Sequence, residues 1–320
     1  MEFGKNGATD GFLMVKTADR KVTAKGMPYL DLTLSDKTGE INAKLWDYHE
    51  EVQGIFEAGT IVKVRGSVAP YNGVDQLRIE KIRKAIPSDG VDPSEFVPSA
   101  DLSGEQLYNE LIMIAQNLES DEIKSIVLEI YKEYKDKLIF WPAAFRLHHA
   151  IRGGLLYHTL SIVRLAQSVC RIYPSVNADL LIAGAMLHDI AKTDEFIVND
   201  AGTASGYSLE GNLVGHLAKG AMIIGTVAER LSTSEETKLL LQHMVLSHHG
   251  EPEFGAAVRP MFLEAELLSE LDLMDSRIYE LTESIGNVAT GEYTNKMWAL
   301  DNRKFYNHGR NEVDTKAKIL

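Results

Sequence analysis

The chain has 320 residues, 45% hydrophobic and 25% charged, with a net charge of −13 and a single cysteine, Cys170. This is the make-up of a globular protein long enough for two domains. It excludes an internal disulfide framework, and no segment reaches the roughly 18 uninterrupted apolar residues that a membrane span needs. MEFGKNGATDGF has no apolar signal core, so a cytoplasmic location is expected, with no membrane partner. The acidity is uneven. Residues 1–86 hold 13 basic and 12 acidic side chains, whereas 20 basic and 34 acidic fall after them. The charge that would repel a polyanion therefore sits almost wholly in the second part.

From Gly11 to about Ile86 short alternating stretches such as IVKVRGSV and QLRIEKI read as half-buried strands. SDKTGE and PYNGVD carry turn chemistry, and YHEEVQGIF reads as a short helix between the third and fourth strands. Five strands with one helix after the third is the order of an OB-fold barrel. Residues 87–101, within PSDGVDPSEFVPSADLSGEQ, read as a linker, and DLSGEQ as a helix start. From 102 to 285 the apolar spacing turns helical, in stretches such as EIKSIVLEIYKEYKDKL, ADLLIAGAMLHDIAK and LVGHLAKGAMIIGTVAERL. EFIVND with SGYSL is a candidate hairpin. Residues 286–320 form a polar tail in which Tyr293, Trp298, Phe305 and Tyr306 are docking candidates. The expected fold is thus a small OB barrel (1–86), a linker (87–101), an all-α bundle (102–285) and a tail (286–320).

The helical part concentrates the histidines. His158, His188, His216, His243 and His248 recur about once per helix, Asp189 follows His188, and Asp272 lies in LLSELDLMDSRI. One histidine on an apolar face is usually a hydrogen-bonded core residue. A series of them on successive helices, with carboxylates, is how bundles build metal sites. Mixed imidazole and carboxylate ligands suit Mn, Fe, Co, Ni or Zn better than Ca or Mg.

On these residues the chain resembles the HD-domain metal-dependent phosphohydrolases. The order His158, His188–Asp189, Asp272 carries the resemblance, with GGLLYHTL and MLHDIAK as local matches. With the OB-like first part, TGEINAKLWD, PAAFRLHHAIRGGLLYHTL, GHLAKG and LSHHGEPEFG, the chain is similar over about residues 10–285 to the YhaM-type 3′-to-5′ exoribonucleases. SELDLMD departs from the pattern just before the aspartate and leaves the aspartate in place.

The resemblance implies a metal-dependent 3′-to-5′ exoribonuclease acting on single-stranded RNA, with single-stranded DNA as a further substrate, through metal-activated water. His158, His188, Asp189 and Asp272 would hold one divalent transition metal. Asp189 would bridge to a second ion completed by His216 and His248. His249 joins that set, with an outward-facing, hydrogen-bonding histidine as the competing reading. Manganese leads, with Fe, Co and Ni as alternatives. Asp189 and Lys192 are the catalytic candidates, Lys192 as a point charge on phosphate. His149 and Arg152 are candidate phosphate contacts. His243 reads as core or as backing for a ligand, and Asp275 as backing or surface. Gly153 and Gly154 match a tight turn into the His158 helix.

In the barrel, Tyr29, Trp46 and Tyr71 are candidate stacking platforms, although NAKLWD also reads as a tryptophan filling the barrel end. Lys81 and Arg83 lead the candidate backbone contacts, with Arg20, Lys21, Lys25, Lys63, Arg65 and Lys84 behind them. The competing function is hydrolysis of free nucleotides or cyclic dinucleotides, with the barrel serving assembly. A third reading is a non-enzymatic RNA-binding protein. Homo-oligomer formation is left open.

Overall fold

A computed structural model of the chain describes residues 8–36, 39–71, 73–92, 95–96, 102–144, 151–199, 201–310 and 319. His149 lies outside them. Five strands come first: β1 (Ala8–Val22), β2 (Pro28–Asp36), β3 (Gly39–Trp46), β4 (Ile61–Tyr71) and β5 (Val74–Lys84), with the four-residue α1 (Glu50–Gln53) between β3 and β4. They close into a barrel in the order β1-β2-β3-β5-β4, with β1 also paired to β4 and only β3–β5 parallel. The long β1 serves both neighbours because its register shifts between Val15 and Thr17. A bulge of this kind bends a strand and lets it turn a corner. Alternation then sorts the side chains. Leu30, Leu32 and Leu34 of β2, Ile41, Ala43 and Leu45 of β3, Val62 and Val64 of β4 and Leu77 of β5 fill the interior. Gly66 sits at a second register shift, and a Cβ there would lie 2.2 Å from the Arg78 carbonyl.

The segment read as a linker is partly built into this unit. Asp89 closes a short turn over Pro87–Asp89 by accepting from the Ile86 N–H and from both Arg83 Nη groups, at 2.7 Å each. Phe96 is buried against Met14 and Ala201. The chain divides into two compact units, Met1–Ser99 with Ile197–Gly206, and Ala100–Phe196 with Tyr207–Leu320.

The second unit is helical: α2 (Gly104–Gln116), α3 (Asp121–Leu138), α4 (Gly154–Ile172), α5 (Ala178–Leu187), the short α6 (Lys192–Glu195) and α7 (Leu209–Leu213), α8 (Gly215–Leu231), α9 (Glu235–Ser247) and α10 (Leu263–Gly286). DLSGEQ starts α2 as expected, with Ser103 and Gln106 forming a reciprocal capping box. Ser120, Asn177 and Ser234 cap α3, α5 and α9. EFIVND and SGYSL form a two-stranded sheet of β6 (Phe196–Val198) and β7 (Ala204–Tyr207). Among the described residues no helix is long and apolar enough to cross a membrane.

One expectation is corrected. ADLLIAGAMLHDIAK is not a single helix, because α5 stops at Leu187 and residues 188–191 form turns. The Ile190 N–H donates to Leu187 O and the Lys192 N–H to Asp189 O. These three-residue hydrogen bonds tighten the last turn of a helix. His188 and Asp189 therefore sit at a helix end.

Candidate metal centre

Five imidazoles and two carboxylates meet in the helical unit. His158 comes from α4, which starts directly after Gly153 in the left-handed conformation (φ 73°). His188 and Asp189 follow the C-terminus of α5, and His216 is the second residue of α8. His248 and His249 follow α9, and Asp272 lies on α10. Apolar neighbours hold this geometry. Leu155, Leu156, Leu160, Leu187 and Val245 are almost wholly buried around the ligands. Tyr131 donates its hydroxyl to Met186 O at 2.9 Å, pinning the end of α5 from beneath. The turn at α6 is fastened by Trp141 Nε1–H to Lys192 O and by Lys137 to Asp194 and to Thr193 O.

All five histidines share one orientation. Each directs Nδ1 at an oxygen: Asp275 for His158 (2.7 Å), Ala185 O for His188 (2.8 Å), Glu195 for His216 (3.0 Å), Val245 O for His248 (2.7 Å) and Phe254 O for His249 (2.9 Å). Such a partner fixes the proton on Nδ1 and leaves Nε2 as a lone pair. The Nε2 atoms converge on Asp189. His188 Nε2 is 3.2 Å from Asp189 Oδ2, and the Nε2 atoms of His216 and His248 are each 3.7 Å from Oδ1. His158 Nε2 is 3.1 Å from Asp272 Oδ1 and 3.9 Å from Asp189 Oδ2.

His188 Nε2, Asp189 Oδ1, His216 Nε2 and His248 Nε2 are buried without a hydrogen-bond partner. Outside the cluster only Ser35 Oγ shares that state among the described residues. A buried polar atom left unpaired costs about 1–3 kcal/mol, so several aimed at one point call for a cation. Three groups have ligand atoms close enough to share an ion: His158–His188–Asp189, His188–His248–Asp272 and His216–His248–His249. The residues fit a divalent metal.

The electrostatics favour the ligating forms of Asp189 and His248. Burial alone would raise the carboxyl of Asp189, yet Lys192 and His188 hold it well below the usual range. Burial likewise opposes charge on Lys192, and Asp189, 2.7 Å away, keeps the ammonium protonated. Burial, together with the neighbouring His188 and His249, pushes His248 down toward the neutral form that binds metal. At His158 burial is outweighed by Asp272 and Asp275, which push the imidazole up to about 10, so a metal at its Nε2 would have to displace a proton.

Other expected residues fall elsewhere. His243 does not join the cluster. Its Nε2 accepts the Met261 N–H at 3.0 Å and its ring packs on Phe262. Arg152 lies over the Phe140 ring at 5.4 Å. Two supports went unread in the sequence. Glu195 backs His216, and Ser161, donating to Asp275, locks the group behind His158. Asp275 and Ser161 do show a helix-period signal, being three residues from Asp272 and from His158 respectively. Glu195 shows none.

In the barrel, Tyr29 and Trp46 are cross-strand partners with ring centroids 4.8 Å apart. Trp46 is 43% exposed, so it does not fill the barrel end. Lys44 lies over the Tyr29 ring at 5.5 Å. Lys44 and Lys21 reach Asp31 at 2.5 and 2.7 Å, with Asn42 at 2.8 Å. Burial works against the Asp31 charge, but these three donors hold its carboxyl down to about 2. Arg78, exposed on β5 and opposite Lys44, completes a basic and aromatic face that runs over β2, β3 and β5. Lys44, Asn42 and Arg78 were not among the expected contacts. Tyr71 is exposed at the end of β4 and makes no ring contact with the pair. Lys81 lies opposite Arg65 on the β4–β5 side, and Arg83 is held by Asp89.

Comparison with known proteins gives two matches to families, an HD domain over residues 155–277 and an OB-fold nucleic acid binding domain over residues 14–85. A 3′-5′ exoribonuclease YhaM from Listeria monocytogenes serotype 4b (strain CLIP80459) is 37% identical over 307 residues, covering 96% of this chain and 97% of the relative. Another from Listeria innocua serovar 6a is 38% identical over 296 residues, covering 92% and 94%. A replication protein A heterotrimer bound to single-stranded DNA aligns with 26% of this chain and 62% of its own, at a TM-score of 0.22 and 17% identity, a likeness too slight to build on.

Proposed function

For this chain, which belongs to the family of YhaM 3′-5′ exoribonucleases, we propose that the histidine–aspartate cluster is the catalytic centre and holds two divalent metal ions. The chain is a metal-dependent 3′-5′ exoribonuclease with an OB-fold barrel and an HD domain. The observation that carries the reading is the convergence of buried, unpartnered Nε2 atoms on the two oxygens of Asp189.

His158, His188, Asp189 and Asp272 would hold one ion, and Asp189, His216, His248 and His249 the other. Manganese fits this mixed donor set, as do iron, cobalt and nickel. Metal ions in such a site lower the pKa of water and neutralise charge on the phosphate. The protein's own part is placement. The oxygens behind each Nδ1 fix every ring, so the donors need no rearrangement when substrate arrives. Lys192, held charged beside Asp189, stands ready as a point charge for a phosphate oxygen. The Tyr29–Trp46 face would take the bases of a single-stranded RNA, by stacking, and Lys21, Lys44 and Arg78 its phosphates.

A 5′-labelled single-stranded oligoribonucleotide incubated with Mn²⁺ should give a ladder shortening from the 3′ end. Asp189→Ala should leave it intact. If the wild-type chain leaves RNA whole and turns over free nucleotides or cyclic dinucleotides instead, the substrate assignment fails.

A further inference from the structure

The two halves of the cluster are backed in parallel but by different residues. Each contains one histidine whose Nδ1 meets a carboxylate. For His158 this is Asp275, which Ser161 holds in place. For His216 it is Glu195, only 9% exposed. The other three rings rest on backbone carbonyls. A carboxylate behind an imidazole makes Nε2 a stronger donor and fixes the ring more firmly than a neutral carbonyl does.

Glu195 is built for one position. Its Oε1 faces both the ring and the backbone N–H of His216, at 3.0 and 3.3 Å. That N–H lies in the first turn of α8, where the chain has donors to spare. The same oxygen thus orients the side chain and the start of the helix that carries it. The backbone of Glu195 is fixed as well. Its carbonyl accepts the Ser208 N–H at 2.9 Å, and the next residue upstream, Asp194, accepts the Ser208 hydroxyl at 2.6 Å. A Cβ on Gly211 would meet Glu195 O at 2.3 Å, so only glycine lets α7 approach this closely.

We propose that Glu195 is a positioning residue that sets the affinity of the ion held through His216, His248 and His249, while Asp275 does the same for the ion held through His158 and His188. The proposal rests on the two-ion reading above. It makes the two ions separately adjustable by residues that touch neither of them.

The test counts metal rather than activity. Metal-free wild type, Glu195→Gln and Asp275→Asn are titrated with Mn²⁺, and bound metal per chain is measured by elemental analysis and calorimetry. Thermal unfolding of the metal-free chains checks that each variant is folded. Wild type should bind two ions. Glu195→Gln should weaken one of them by about 10- to 100-fold and leave the other unchanged. Asp275→Asn should do the reverse. Glu195→Asp, which keeps the charge on a shorter arm, serves as a second variant should the glutamine form fail to fold, and should weaken the same ion as Glu195→Gln. Two ions of unchanged affinity in a folded Glu195 variant overturn the proposal, and so does equal loss of both ions in either variant. A wild type that binds a single ion defeats the two-ion reading instead, and the two failures are distinct.

Discussion

The metal cluster and the barrel face are built in opposite ways. The cluster is buried, and each ring is held by a second residue, so its geometry exists before any ligand arrives. The barrel face is a surface in which Tyr29 and Trp46 meet only because β2 and β3 pair in one register, and Lys21 and Lys44 share a half-buried Asp31. Chemistry that needs donors fixed to a fraction of an ångström sits in the first environment. Recognition that tolerates any base, by stacking, would suit the second.

That contrast predicts a clean separation of effects, which Asp189→Ala tests most severely. Losing several kcal/mol of charge stabilisation should lower turnover by about a thousandfold or more. Binding of a single-stranded oligoribonucleotide, followed by fluorescence anisotropy, should stay within about twofold. Equal losses in both assays would show that substrate is held mainly at the metals. Trp46→Ala should act the other way. Removing one stacking platform costs about 1–3 kcal/mol, or roughly 5- to 150-fold in RNA affinity. Hydrolysis of bis(p-nitrophenyl) phosphate, which is too small to need the barrel, should be unaffected. A matching drop on that small substrate would break the distinction.

Gly211→Ala probes how rigid the buried site is. The new methyl would press on Glu195 backbone rather than on a flexible side-chain end. A cost of about 1–3 kcal/mol in stability is expected, visible as a lowered unfolding midpoint in denaturant. An unchanged midpoint would mean the α6–α7 contact can relax.

The smallest effect is expected on the barrel face, from Asp31→Asn. The folded carboxyl titrates near 2, below its unfolded value. Its contribution to stability is therefore present above about pH 4 and is lost as pH falls toward 2. Wild type should be more stable than Asp31→Asn at pH 7, with the gap closing between pH 4 and 2. A gap that persists well below pH 2 would show that Asp31 acts through hydrogen bonds the amide cannot make rather than through its charge.

Much of this was legible in the sequence. Barrel strands announce themselves by alternation, and the histidine–aspartate order survives because each ligand lies in a strongly apolar stretch. Two kinds of information were not legible. The break of α5 after Leu187 has no proline or glycine to mark it, since His188 to Ala191 would fit a helix as well as a turn. Residues that act through space leave no periodic trace either. Glu195 supports His216 from 21 positions away, and Lys44 and Arg78 join the barrel face only through strand register. Nor does the sequence show that Arg83, a candidate phosphate contact, is paired with Asp89 of the segment read as linker.

The chain completes its barrel unit late. Ala201 is fully buried with Met14 and Phe96, yet it is made about 100 residues after Phe96. At the usual 5–20 residues per second, this leaves an interval on the order of ten seconds on the ribosome in which the apolar patch waits uncovered. During that time the residues of α2 to α5 are made. Cutting the gene after Ser99 would make the interval permanent, so the barrel expressed alone should be the more aggregation-prone version of itself.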